Sequence, residues 1–168
     1  MIGSALALAL TTVVLLTQPA QAAAYRYWTY WQAPVGATAW GFATQGPATG
    51  VPVDGAVEGW SFGITTQSGS LDDAPSTAPD FARICAGTPA PADGKRVAIV
   101  IDPGPVGIAP DGQTPPAPTE ACIVAAADAS GYDVLRAAAD VRTEDGLVCG
   151  VAGYPTGECA PVLSDSDA

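Results

Sequence analysis

Ala56-Val-Glu-Gly-Trp-Ser-Phe-Gly-Ile64 sets Trp60, Phe62 and Ile64 on one side of an extended chain and Gly59, Ser61 and Gly63 on the other. Glycine opposite a large ring lets a neighbouring aromatic lie flat on the backbone. Working outward, Tyr25-Arg-Tyr-Trp-Thr-Tyr-Trp31 and the run Thr38 to Thr44 carry the same kinds of residue, with Trp40 and Phe42 alternating with Ala39, Gly41 and Ala43. The segment Ala33-Pro-Val-Gly-Ala37 between them reads as a hairpin loop. From Tyr25 to Phe62 lie 9 of the 12 aromatic residues, so these runs predict an antiparallel sheet backed by aromatic rings.

The remainder is punctuated by Gly and Pro. Residues 67–80 are polar and read as a linker or long loop. Arg96-Val-Ala-Ile-Val-Ile-Asp102 is apolar on both faces, which suits a strand buried on both sides, and Pro103-Gly104 stops it. Ser130-Gly-Tyr-Asp133 has the spacing of a capping box, and Tyr132, Leu135, Ala138 and Ala139 recur at helical intervals up to Val141. A last strand is expected over Leu147 to Ala152. The fold class is therefore α+β, mostly β, with short antiparallel strands and one main helix. The expected organisation is a leader at 1–22, an aromatic hairpin lobe at 23–66, a linker at 67–80, a strand, helix and strand lobe at 81–160, and a disordered acidic tail at 161–168.

Ala5 to Leu16 form an uncharged apolar run, shorter than the roughly 20 residues that span a bilayer. Gln18-Pro-Ala-Gln-Ala22 ends in the small-x-small pattern of a signal peptidase site, so cleavage is expected after Ala22 and the product is expected outside the cytoplasm. No Lys or Arg precedes the apolar run, which reads as a true start upstream of Met1. Six basic and seventeen acidic residues give a net charge of −11, which disfavours nucleic acid and anionic lipid as partners.

Four cysteines spaced by 37, 27 and 10 residues lack the CxxC pairs of a zinc site, and no histidine completes a ligand set. Two disulfides are expected. Cys149–Cys159 brackets the turn residues from Ala152 to Glu158, and Cys85–Cys122 follows by elimination, although four cysteines allow three connectivities.

Absence of histidine also excludes a Ser-His-Asp triad and a Cys-His pair. Paired carboxylates remain: Asp72-Asp73, Asp102, Glu144-Asp145, and Glu58 beside Trp60. Glu58 with Asp102 is the pair that a glycosidase would use. Seventeen acids in an acidic chain are mostly surface groups and turn formers, so no enzyme, cofactor or metal is assigned; calcium at Asp72-Asp73 with Asp80 lacks the twelve-residue loop.

The combination of Tyr-Arg-Tyr-Trp (25–28), Thr-Gln-Gly-Pro-Ala (44–48), Asp-Gly-Ala-Val-Glu-Gly-Trp-Ser-Phe-Gly (54–63), Cys-Ala-Gly-Thr-Pro-Ala-Pro (85–91), Arg-Val-Ala-Ile-Val-Ile-Asp (96–102) and Ala-Gly-Tyr-Pro (152–155) resembles a family of uncharacterised secreted actinobacterial proteins. The resemblance covers nearly the whole chain after the leader. It implies a setting beside energy-coupling-factor transporter genes of the cobalt and cobalamin type. Ser-Gly-Tyr-Asp-Val-Leu-Arg-Ala-Ala-Ala (130–139) followed by Gly-Leu-Val-Cys-Gly-Val-Ala-Gly (146–153) is similar to the helix-to-strand passage of transcobalamin-type β-grasp domains, with the aromatic hairpin permuted ahead of the helix.

Two functions follow as expectations. In the first, Tyr27, Trp28, Tyr30, Trp31, Trp40 and Trp60 hold a small flat ligand or an envelope protein partner, as an accessory to metal or cobalamin uptake. In the second, the chain is a structural or cell-wall glycan-interacting protein with the same rings in its core or stacked on sugars. Solvent exposure of the four indoles discriminates between them.

Overall fold

The computed structural model describes residues 24–66 and 73–163. The expected leader, part of the expected linker and residues 164–168 lie outside them. Strand β1 (Ala24–Ala33) pairs antiparallel along its whole length with β3 (Val57–Thr66), from Ala24↔Thr66 to Ala33↔Val57. The other edge of β1 carries β2 (Gly41–Phe42) near one end and β8 (Val162–Leu163) near the other. Beyond β3 the sheet continues with β4 (Lys95–Asp102), parallel to β3, and then β5 (Thr119–Ala125), antiparallel to β4. Helix α1 (Phe81–Ile84) precedes β4; helix α2 (Gly131–Ala138) follows β5 and leads into a separate hairpin, β6 (Val141–Glu144) and β7 (Leu147–Val151). This is the expected α+β, mostly β class.

Alternation distributes the aromatic residues to both faces. On one face Trp28, Tyr30, Trp60 and Phe62 join Val97, Ile99 and Ile101, and this surface is capped by Val134 and Leu135 of α2 with Val151 and Tyr154. On the other face Ala33, Val57, Ala98 and Val100 pack with Cys85, Trp40, Phe81 and Ile84. β4 is thus covered twice, which is why its sequence is an unbroken apolar run. Fully burying a Val, Ile, Leu or Phe side chain there stabilises the fold by about 1.5–3 kcal/mol.

Gly59 explains how the second face closes. A Cβ there would come within 2.7 and 2.9 Å of the Trp40 ring, so only glycine lets the indole lie on β3. The α2 start is held by the expected capping box: Asp133 N donates to Ser130 Oγ (3.2 Å) and Ser130 N donates to Asp133 Oδ2 (2.9 Å). Both expected disulfides are present, Cys85–Cys122 fastening the end of α1 to β5 and Cys149–Cys159 fastening β7 to the segment before β8.

Four expectations are corrected. The hairpin of 25–44 shrinks to the two pairs Trp31↔Phe42 and Gln32↔Gly41, because the chain turns at Trp40 to lay its ring over Gly59, and β3 takes the long pairing with β1. The boundary at 67–80 does not divide the molecule into two sheets, since β3 and β4 pair side by side and residues from both expected lobes share one apolar cluster. Within the tail, Val162 and Leu163 are paired to Tyr25 and Ala24. The helix stops at Ala138, Val141 opens β6, and the buried position on α2 belongs to Val134 beside Leu135 while Tyr132 is half-buried.

Candidate functional site

The sheet decides the fate of the expected aromatic face. Trp28, Tyr30, Trp31 and Trp60 are buried, Trp31 completely, and Trp40 and Tyr27 are half-buried. Their polar atoms mostly serve the core: Trp28 Nε1 donates to Tyr154 O (3.1 Å), Trp31 Nε1 to Thr29 Oγ1 (2.8 Å), and Trp40 Nε1 to Thr77 O (2.8 Å). Tyr30 stacks on Trp60 with ring centroids 4.9 Å apart, and Trp28 lies 5.6 Å from Phe62. Among the described residues, Trp60 Nε1 is buried with no hydrogen-bond partner. Of the expected ligand-binding set, Trp28, Tyr30, Trp31 and Trp60 lie buried on β1 and β3, and Trp40 alone keeps a partly exposed ring.

The carboxylates are likewise placed by strand parity. Ser61 and Asp102 are register partners, whereas Glu58 lies three residues before Ser61 and so on the opposite face. Glu58 and Asp102 cannot flank one glycosidic bond across a sheet. Asp102 is a latch: its Oδ2 accepts from Ser76 N (2.7 Å) and Ser76 Oγ (2.5 Å), and its Oδ1 accepts from Gly104 N (2.9 Å). Asp80 caps α1 by accepting from Arg83 N (2.9 Å), which takes it out of the calcium reading, and Asp72 lies outside the described residues.

Glu58 is buried beneath Gly131, where a Cβ would collide with both its Oε2 and the Tyr30 hydroxyl. It accepts from Tyr30 and, at 3.4 Å, from Gln32 Nε2. Burial pushes its carboxyl above the usual range, opposed by these hydrogen bonds and by the charge of Lys95. Burial, with the neighbouring Glu58 charge, raises Tyr30 as well. Lys95 gives its ammonium to Ala129 O (2.6 Å) and Ala127 O (3.2 Å), and burial draws it below the ordinary lysine range.

Among the described residues, Glu144, Cys149 and Cys159 bring three possible ligand atoms within 4.8 Å of one another, but both sulfurs are consumed in the disulfide.

What the fold leaves open is an apolar groove of about 480 Å³ at the end of the sheet where β1 stops and β3 begins. Pro34, Val35 and Ala37 form one wall, Pro79 and Phe81 the other, and Val57 the floor. Val35 and Val53 are each 61 % exposed, and Val51 is exposed too. A second cleft of about 470 Å³ lies at the carboxyl ends of β3 and β4, but Asp102 and Ser76 spend their polar atoms on one another there. Sequence reading missed the first groove because its walls come from the supposed hairpin loop and linker. The available signal was apolar residues in turn segments, Val35, Val51, Val53 and Phe81.

The groove is set in an anionic surface whose cations are all engaged by the chain itself. Arg26 holds Glu158 (2.7 and 2.8 Å), Arg83 holds Glu120 (2.6 and 2.7 Å), and Arg96 holds Asp54 while lying over Phe81 at 5.2 Å. Arg142 donates to the carbonyls of Cys149, Pro155 and Glu158, and Arg136 lies over Tyr132 at 5.9 Å.

The model of one protein family, described as the SCO2322-like domain, matches residues 20–164. No curated protein and no solved structure matches the chain.

Proposed function

The chain belongs to the SCO2322-like domain family, and on that premise we propose that it is a non-enzymatic binding module working outside the cytoplasm, with the groove beside Phe81 as its binding site. The observation that carries this reading is an apolar groove, its volume within the ordinary range for small-ligand sites and one wall formed by the exposed Val35. The disulfide from Cys85 pins the α1 wall to β5. Two disulfides suit an oxidising compartment, and no helix among the described residues is long and apolar enough to cross a membrane. A role without chemistry is supported by the lack of histidine and by carboxylates spent as latches and caps. The finer reading, an accessory role in metal or cobalamin uptake, rests on the family resemblance drawn from the sequence.

Trp40 shares an apolar cluster with Phe81 and so reports on the groove. Its fluorescence should change saturably with cobalamin or cobinamide, and the change should disappear in Val35→Asn. A response that survives that substitution places the ligand elsewhere; no response to either corrinoid ends the uptake reading. The two disulfides and the buried rings also support the alternative of a structural envelope protein, for which co-sedimentation with cell-wall glycan, unaffected by Val35→Asn, is the expected result.

A further inference from the structure

We propose that the groove receives a basic peptide segment with an apolar centre, contributed by a partner protein; this rests on the groove being the binding site. The first argument is shape. Val51, Pro52 and Val53 alternate exposed, buried, exposed, so Val51 and Val53 both face outward. The turn that follows, closed by Ala56 N donating to Val53 O, supplies Gly55, whose Cβ position lies 3.3 Å from Val35. The exposed Val51 and Val53 thus form an apolar strip that precedes the Gly55 turn, and that turn seats against Val35 at the mouth of the cleft beside Phe81. A small flat ligand would fill the cleft and leave the strip wet, whereas an extended peptide covers both.

The second argument is charge. Around the groove the two guanidiniums of Arg83 and Arg96 are held by three carboxylates, Asp54, Asp80 and Glu120, leaving 2 − 3 = −1 locally, within a chain of net charge −11. Because the guanidiniums of Arg83 and Arg96 are already paired to carboxylates, an acidic partner meets no unneutralised cation of theirs beside the groove, while a basic one is drawn in by the net negative chain from a distance.

The test uses the chain from Ala23 with both disulfides intact and two synthetic peptides sharing one extended apolar core, flanked by lysines in one and glutamates in the other. The lysine-flanked peptide should bind at least about tenfold more tightly at low salt, with the advantage shrinking as salt rises. Val53→Asn should weaken it several-fold without shifting the melting temperature and should leave any corrinoid binding unchanged, since Val53 belongs to the strip and does not line the cleft. Equal affinity for the two peptides, or indifference to Val53→Asn, overturns the proposal. Corrinoid binding with neither peptide bound overturns it while the groove reading stands; silence from all probes removes both.

Discussion

Tyr30 of β1 donates its hydroxyl to Glu58 of β3 on a diagonal, because the register partners are Tyr30↔Trp60 and Gln32↔Glu58. The diagonal places a phenol and a carboxyl face to face under Gly131, in the part of the core that α2 closes.

That arrangement sets a pH dependence. Glu58 has a folded-state pKa above its ordinary value, so its favourable contribution is complete below about 4.3 and is lost as pH rises through the folded value. Asp54, Glu120 and Asp133 are shifted down and oppose this at the acid end. The comparison that isolates Glu58 is the melting temperature of Glu58→Gln minus that of the native chain between pH 4 and 8. The difference should grow in favour of the variant as pH rises. A flat difference would show that Glu58 ionises at no cost in the fold.

Trp31 is a core ring, so Trp31→Ala should cost about 3–5 kcal/mol in urea unfolding. Phe42→Ala, which removes the 48 % exposed ring 5.2 Å away, should cost much less. Similar losses for the two would mean that β2 is as much a part of the core as β1.

Gly59→Ala should force the Trp40 ring off β3 and destabilise by about 1–3 kcal/mol. Its accompanying signature is a shift in Trp40 emission, since the indole loses its seat. Unchanged emission with unchanged stability would contradict the packing described.

Of the two disulfides, Cys85–Cys122 closes a separation of 37 residues and Cys149–Cys159 one of 10. Loop-closure entropy then makes the paired serine substitution at 85 and 122 costlier than that at 149 and 159 by about 1 kcal/mol, from roughly 3.8 against 2.7 kcal/mol. Denaturant midpoints of the two double variants measure the order directly.

Elements whose pattern is local were legible in the sequence. The run from Val97 to Ile101, the alternation from Val57 to Phe62 and the capping box at Ser130 each carry their own period or spacing. Pairings decided at a distance were not. Whether β1 takes Thr38–Thr44 or Val57–Thr66 as its long partner depends on where Trp40 comes to rest, and nothing near Trp40 says that Gly59 is its seat. The segment Thr119–Ala125 is half-exposed with weak alternation and follows a proline-rich run, so it reads as loop until β4 supplies an edge. The groove was hidden for the same reason, its two walls being more than 40 residues apart along the chain.

The short pairing of β8 with β1 has an architectural consequence. Ala24 and Leu163 are neighbours, so the polypeptide enters and leaves the folded body at one pole. The groove begins at Pro34, just past Ala33, the far end of a ten-residue strand, about 30 Å away. The Phe81 groove therefore lies at the pole opposite the one where Ala24 and Leu163 meet.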